Sequence, residues 1–219
     1  MSYEIHFQEI DEKIMEYTFF FDVETTGLLQ SSPYIVSIAY SVYENKPNQD
    51  YNIEPPINIL ERYHIVKPPT KDYVIPEESV KIHGISTEIA KKQGITNDEV
   101  IKNLHSVFDK YHITTIVAHN IEFDIRVLFI QLERYDTIHK IPLKHKIFDI
   151  KVYCTMKESI EMMNLERTNS RGTYKKYPKL EELYNRLFEG ENFNAHNALE
   201  DVKACVRCYY KYLHKVDIY

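Results

Sequence analysis

YTFFFDVETTGL, residues 17–28, is the stretch that sets the fold. Residues 17–24 are aromatic and β-branched around two carboxylates, and Thr25-Thr26-Gly27 ends the run. That pattern reads as a short buried strand. Phe19, Phe20 and Phe21 in succession suit a central strand with both faces covered. Residues i and i+2 of a strand share a face. Asp22 and Glu24 therefore present two carboxylates side by side at the strand's end. Bare carboxylates this close repel, and one would hold a proton at neutral pH. A divalent cation removes the repulsion and makes the pair a hard oxygen site suited to Mg²⁺ or Mn²⁺. Asp-x-Glu alone also describes a solvated acidic pair at a sheet edge, and the three phenylalanines argue against an edge. Thr25-Thr26-Gly27-Leu28 continues as a tight turn that ends on an exposed apolar side chain.

Working outward, YIVSIAYSVY (34–43) reads as a second strand and ILERYHIV (59–66) as a third. The intervening 44–58 holds three prolines and is a loop. Three strands joined by turns form an antiparallel meander. Beyond Pro68, Pro69 and Pro76, helical patterns occupy 86–92 and 97–111, and TTIVA (114–118) is a fourth strand. Residues 120–134 carry Ile121, Ile125, Leu128, Phe129 and Leu132 at helical spacing. A fifth strand is expected at 146–150, helices at 151–163, 179–188 and 198–214, and a polar loop at 166–178. This order predicts an α/β protein with a mixed five-stranded sheet flanked by helices.

At 219 residues the chain is expected to form one domain, 17–219, preceded by an extension, 1–16. Hydrophobic residues at 43% and charged residues at 27% exclude wholesale disorder. No apolar run approaches the ~18–20 residues of a membrane span, and the acidic first residues do not read as a signal peptide. Three cysteines do not make a disulfide framework and point to an intracellular, cytoplasmic or nuclear, location. Cys205-x-x-Cys208 with Cys154 is one ligand short of a zinc site. A net charge of −6 argues against a generic basic coat for nucleic acid. It leaves nucleic acid open as a substrate, because a carboxylate-rich site needs only a local basic rim.

Two further segments carry chemistry. In AHNIEFD (118–124), Asn120 is placed to cap a helix, and Asp124 would fall in its first turns, returning toward the end of the preceding strand. In NAHNALED (194–201), Asn197 and Glu200 have capping-box spacing. His196 then stands just outside the last helix and Asp201 within it. A histidine with an unperturbed pKa of ~6.5 suits proton abstraction from water. Asp22, Glu24, Asp124 and Asp201, with His196, make four acids and one base, each at a strand end or helix start.

FFFDVETTGL (19–28), AHNIEFD and NAHNALEDV (194–202), in this order, resemble the three motifs of the DEDDh branch of the DnaQ-like 3′→5′ exonucleases. IHGIS (82–86) is similar to a fourth element of that family, and the likeness runs over roughly 17–214. The resemblance implies a ribonuclease H-like fold and hydrolysis from a 3′ end by two Mg²⁺ or Mn²⁺ ions. It implies that Asp22 bridges the ions, Glu24 and Asp201 complete the one that carries the nucleophilic water, Asp124 supports the other, and His196 is the general base. It also implies that Glu24, Thr25 and Thr26 meet the terminal sugar and that Leu28 packs on the last base, with Phe123, His83 and Asn120 nearby. The expected partner is nucleic acid with a free 3′ end, DNA ahead of RNA and single-stranded. The competing expectation is a proofreading or adaptor subunit, or a non-catalytic binder, acting through a polymerase or as a homodimer. Arg167, Arg171, Lys175, Lys176 and Lys179, with Tyr174 and Tyr177, make the stretch from Arg167 to Lys179 a basic, aromatic segment able to track a phosphate backbone.

Overall fold

β1 (Glu16–Thr25) runs through the middle of the molecule. The structure, a computed structural model, describes residues 15–45, 50–51, 54–134 and 140–218. Nearly all of the expected extension 1–16 lies outside the described residues. β2 (Ile35–Asn45) pairs antiparallel with β1, and β3 (Ile57–Ile65) pairs antiparallel with β2. β4 (Ile113–Ala118) lies parallel to β1 on its other side, and β5 (Lys151–Cys154) lies parallel to β4. The order is β3-β2-β1-β4-β5, the mixed five-stranded sheet that the sequence predicts.

The phenylalanines explain the central place of β1. Phe19, Phe21 and Val23 face one core with Tyr40, Leu104, Ile116 and Leu132. Phe20 faces the opposite core with Val117, Leu183, Val202 and Tyr210. Burying each such ring is worth about 1.5–3 kcal/mol, and a slip of one residue would exchange the two faces. The register is therefore held by both cores, and with it the direction in which Asp22 and Glu24 point.

The first core is covered by α3 (Asn97–Lys110), α4 (Ile121–Arg134) and α5 (Lys140–Phe148). The second is covered by α8 (Leu180–Leu187) and α9 (Ala198–Tyr209). α1 (Glu77–His83) and α2 (Thr87–Gln93) form a smaller cluster with Val36. Thr96 and Glu99 close a reciprocal cap on α3. No helix among the described residues is long and apolar enough to cross a membrane.

Three expectations need correction. Residues 146–150 do not form the fifth strand. Leu143 and Ile147, at i and i+4, are buried in the first core and make this stretch the end of α5. The strand lies just beyond, where Val152, Tyr153 and Cys154 pair with β4. The helix expected over 151–163 is accordingly β5 followed by two short helices, α6 (Thr155–Glu158) and α7 (Ile160–Met163). The polar loop at 166–178 contains an antiparallel hairpin, β6 (Glu166–Asn169) and β7 (Gly172–Lys175). None of its strand residues is buried, so hydrophobic alternation could not reveal it. The last helix is α-helical to Tyr209 and ends in a π-helical turn over Tyr210–His214.

Candidate active site

Asp22 and Glu24 share the face of β1 that carries Phe20, so both point toward α9. At the start of α9, Asn197 accepts from the Leu199 and Glu200 amides at 3.1 and 3.4 Å. Glu200 pairs with Lys203 at 3.1 Å. The capped first turn carries Asp201. Its carboxylate takes backbone hydrogen bonds from His196 and Asn197. The carboxylate oxygens of Asp22, Glu24 and Asp201 lie within 4.8 Å of one another. Residues some 180 positions apart in sequence thus share one point at the C-terminal end of β1.

Asp124 comes from the opposite layer. It lies in the first turn of α4, 2% exposed, and accepts a backbone hydrogen bond from Val23. Asn120, just before α4, has φ +75, and His196 has φ +66. The expected N-cap geometry at Asn120 is extended backbone, so Asn120 serves instead as a left-handed turn whose carbonyl accepts from Phe123 at 2.8 Å. Left-handed backbone is costly for a non-glycine residue and recurs at functional sites. Of the six non-glycine residues with positive φ among the described residues, these two line this cleft.

The charge balance of the cleft is unfavourable without a counter-ion. Burial pushes the Asp22 carboxyl well above its ordinary range, with Asp124, Asp201 and Glu24 adding to the effect. Asp124 is raised by burial and by Glu24 and Asp201, against the Val23 hydrogen bond. Burial raises Glu24, and His196 lowers it. Asp201 is pushed up to about 7, by burial first and then by Glu24, its backbone hydrogen bonds and Glu181 working in opposite directions. A set made only of carboxylates, too crowded to ionise together, matches the hard oxygen ligands that Mg²⁺ and Mn²⁺ take. The residues present fit a divalent cation.

The cleft has a volume of about 520 Å³. Of the residues singled out from the sequence, Asp22, Glu24, Leu28, Asn120, Phe123, Asp124, His196 and Asp201 line it. Leu28 is 70% exposed at its rim. Thr25, Thr26 and His83 are not among the lining residues. The Thr25 hydroxyl donates to the Gly27 carbonyl at 2.8 Å, and the Thr26 hydroxyl accepts from the Tyr34 amide at 2.9 Å. Both hydroxyls take part in the turn, Thr25 keeping its acceptor lone pairs and Thr26 its proton. His83 is buried at the end of α1, its Nδ1 accepting from the Ile85 amide at 3.1 Å.

Sequence reasoning missed His119, Met156, Pro178 and Glu181, which also line the cleft, as does Tyr177 of the basic, aromatic segment. His119 Nε2 lies 3.0 Å from the Pro178 carbonyl and Nδ1 3.0 Å from the Thr155 hydroxyl. A carbonyl only accepts, so the proton sits on Nε2 and Nδ1 accepts from Thr155. Burial pushes the ring's pKa down to about 4, which keeps it neutral. His119 is inside the second motif, but only the fold shows that it ties β4 to the segment before α8.

The cleft lies at the ends of a parallel strand pair, β1 and β4. The family model for exonucleases, RNase_T, matches residues 19–209. Among solved structures, E. coli exonuclease I in complex with a dA16 oligonucleotide is similar, with a TM-score of 0.63 and 20% identity over 90% of this chain and 41% of that one. Its complex with a dT13 oligonucleotide gives 0.62, 20%, 90% and 41%. The zinc-bound exonuclease I–ssDNA complex gives 0.63, 20%, 90% and 41%. The chain thus spans about two-fifths of the length of these exonuclease I chains, and at this identity the likeness is one of fold. No curated protein matches the chain by sequence. The resemblance of the three motifs and the ribonuclease H-like architecture agree with the family match, and the chain belongs to the RNase_T exonuclease family.

Proposed function

We propose that the chain is a 3′→5′ exonuclease that removes nucleoside 5′-monophosphates from single-stranded nucleic acid, with two Mg²⁺ or Mn²⁺ ions as cofactors. One observation carries the reading. Asp22, Glu24 and Asp201 converge within 4.8 Å, and Asp124 and His196 open onto the same cleft. These four acids would hold the ions. Bound there, divalent cations supply Lewis-acid activation of water and neutralise charge on the phosphate.

The chain's own residues do the rest. His196 is exposed on the approach to α9, where its imidazole takes the proton from the attacking water. Leu28 and Phe123 flank the terminal base, and Asn120 meets the nucleotide from the start of α4. Glu24 meets the terminal sugar, and the Thr25–Gly27 turn beside it holds Leu28 at the rim. The 3′→5′ direction is supported by the likeness of the three motifs to the DEDDh branch. Single-stranded DNA is supported as substrate by the oligonucleotides in the exonuclease I complexes.

A 5′-labelled oligonucleotide ladder tests this reading on matched DNA and RNA strands. The expected result is stepwise shortening with Mg²⁺ or Mn²⁺, absent with chelator and absent in Asp22→Asn. Immediate release of the label as a mononucleotide would reverse the direction. No shortening with either metal on either strand would overturn the reading.

A further inference from the structure

The β6–β7 hairpin stands outside the main sheet, and all its strand residues are exposed. An isolated two-stranded ribbon is marginal in water, and this one has no apolar face to bury. It is held by polar contacts alone. The Thr168 and Thr173 hydroxyls lie 3.0 Å apart, Lys175 pairs with Glu161 of α7, and Lys176 pairs with Glu182 of α8 at 2.5 Å. Core packing therefore does not explain why the chain keeps it.

Its charge does. Residues 166–179 contain Arg167, Arg171, Lys175, Lys176 and Lys179 against one acid, Glu166. The register sorts them. Glu166 opposes Lys175 and Thr168 opposes Thr173 on one face, while Arg167 opposes Tyr174 on the other. Lys175 ties the first face to the body through Glu161. The second face is left with a guanidinium beside a phenol ring that is 46% exposed. Arg171 sits in the two-residue turn, its amide held by Asn169 Oδ1 at 2.8 Å. Neither Arg167 nor Arg171 has an ion pair among the described residues. Two of the five cations are thus neutralised by the protein, and the two arginines are not.

The ribbon returns to the body through Tyr177, Pro178 and Lys179, which line the acidic cleft. His119 holds the Pro178 carbonyl. The cleft lining offers one lysine or arginine, Lys179, against five carboxylates, so beyond a bound cation the rest of a strand is best held by cations placed outside. A base can stack on an exposed tyrosine only when it is not paired in a duplex.

We propose that the β6–β7 hairpin is a second binding site of this enzyme, which grips a single strand upstream of its terminus. Arg167 and Arg171 take phosphates, Tyr174 stacks a base, and Tyr177 leads the end into the cleft. This rests on the exonuclease reading for the strand's direction and not for the binding itself.

The test is the full chain carrying Arg167→Ala, Arg171→Ala and Tyr174→Ala together. Binding of fluorescently labelled dT20 and rU20 is followed by anisotropy in Ca²⁺ across a salt series. Turnover is measured separately on the p-nitrophenyl ester of thymidine 5′-monophosphate, which is too short to reach the hairpin. The expected result is at least a tenfold loss of dT20 affinity and a salt slope flatter by about 1.4, since each of the two single-strand phosphate contacts contributes about 0.7. Ester hydrolysis should be unchanged. An equal loss on rU20 assigns the grip to phosphate and base; a loss on dT20 alone assigns it to DNA. Unchanged affinity and slope would overturn the proposal even in an active enzyme, as would a wild-type protein that binds neither strand. If the wild type hydrolyses nothing but the variant loses binding, the hairpin site stands and the nuclease reading falls.

Discussion

Asp124, in the first turn of α4, accepts a backbone hydrogen bond from Val23, the residue between the two β1 carboxylates. One side chain therefore closes the acidic cluster and fastens the helix to the strand end. Asp124→Asn keeps an oxygen acceptor for that amide and removes a charge from a crowded set. The expected outcome is a folded protein with no detectable hydrolysis and a raised metal-free Tm. Asp124→Ala loses the acceptor and should have a lower Tm than the Asn variant. Thermal melts and the oligonucleotide ladder check both.

The pH dependence of stability should carry the mark of the cluster. Asp201 titrates at about 7 in the folded protein, against an ordinary value of ~3.9. Between these values the folded state binds a proton that the unfolded chain does not, so this group's contribution falls as pH rises. Without metal, Tm relative to Asp201→Asn should be higher at pH 5.5 than at pH 8. Saturating Mg²⁺ or Mn²⁺ should invert that order, because cations bind the ionised set. A metal-free wild type that gains Tm relative to Asp201→Asn toward pH 8 would contradict the burial and crowding that raise this carboxyl.

His119 has the opposite sign. Its pKa of about 4 in the fold lies below the ~6.5 of a free imidazole. Its contribution is complete above pH 6.5 and is lost as pH falls toward 4. His119→Ala should flatten that acid limb and cost about 1–3 kcal/mol through the unpaired Pro178 carbonyl. Because the residue positions the Tyr177–Lys179 segment, KM for oligonucleotides should rise more than kcat falls. Urea melts across pH and steady-state kinetics measure the two effects.

Arg207 is 9% exposed and bonds Asp217 at 2.7 Å through two nitrogens, Glu191 at 2.6 Å and the Tyr184 hydroxyl. Its guanidinium also lies 3.8 Å from the Phe188 ring centre. Arg207→Ala should cost about 1–2 kcal/mol, mainly through its lost packing on Phe188, since Glu191 and Asp217 are partly exposed and water can solvate them. Arg207→Lys should recover less than half, because an ammonium lacks the planar fork. Chemical denaturation reads both.

Gly94 is a matter of space. A Cβ there would lie 2.5 Å from the Ala90 carbonyl oxygen and 2.7 Å from the Lys67 nitrogen. Both obstacles are backbone, so Gly94→Ala should destabilise by about 1–3 kcal/mol, measured as a lower Tm with activity retained at 25 °C.

Much of the site is legible from local pattern. Phe19–Phe21 made β1 central, the two-residue period put Asp22 and Glu24 on one face, and Asn197 marked the start of α9. The fifth strand was placed too early because Lys146–Ile150 is apolar enough for either state, and Leu143 with Ile147 settles it only through burial against α3 and α4. The hairpin escaped notice because it has no buried face to leave a periodic trace. His119 and Arg207 act across long sequence separations, 59 residues in the case of His119 and Pro178.

By itself the sequence determined the central strand, the α/β class and the identity of the acids and the histidine, because those follow from the period of a strand, the cap of a helix and the chemistry of carboxylates. Only the tertiary structure decided that Asp22, Glu24 and Asp201 meet within 4.8 Å and that the basic segment is a ribbon with one free face. Such distances depend on how two cores close on opposite sides of one sheet, and no local stretch of chain encodes them.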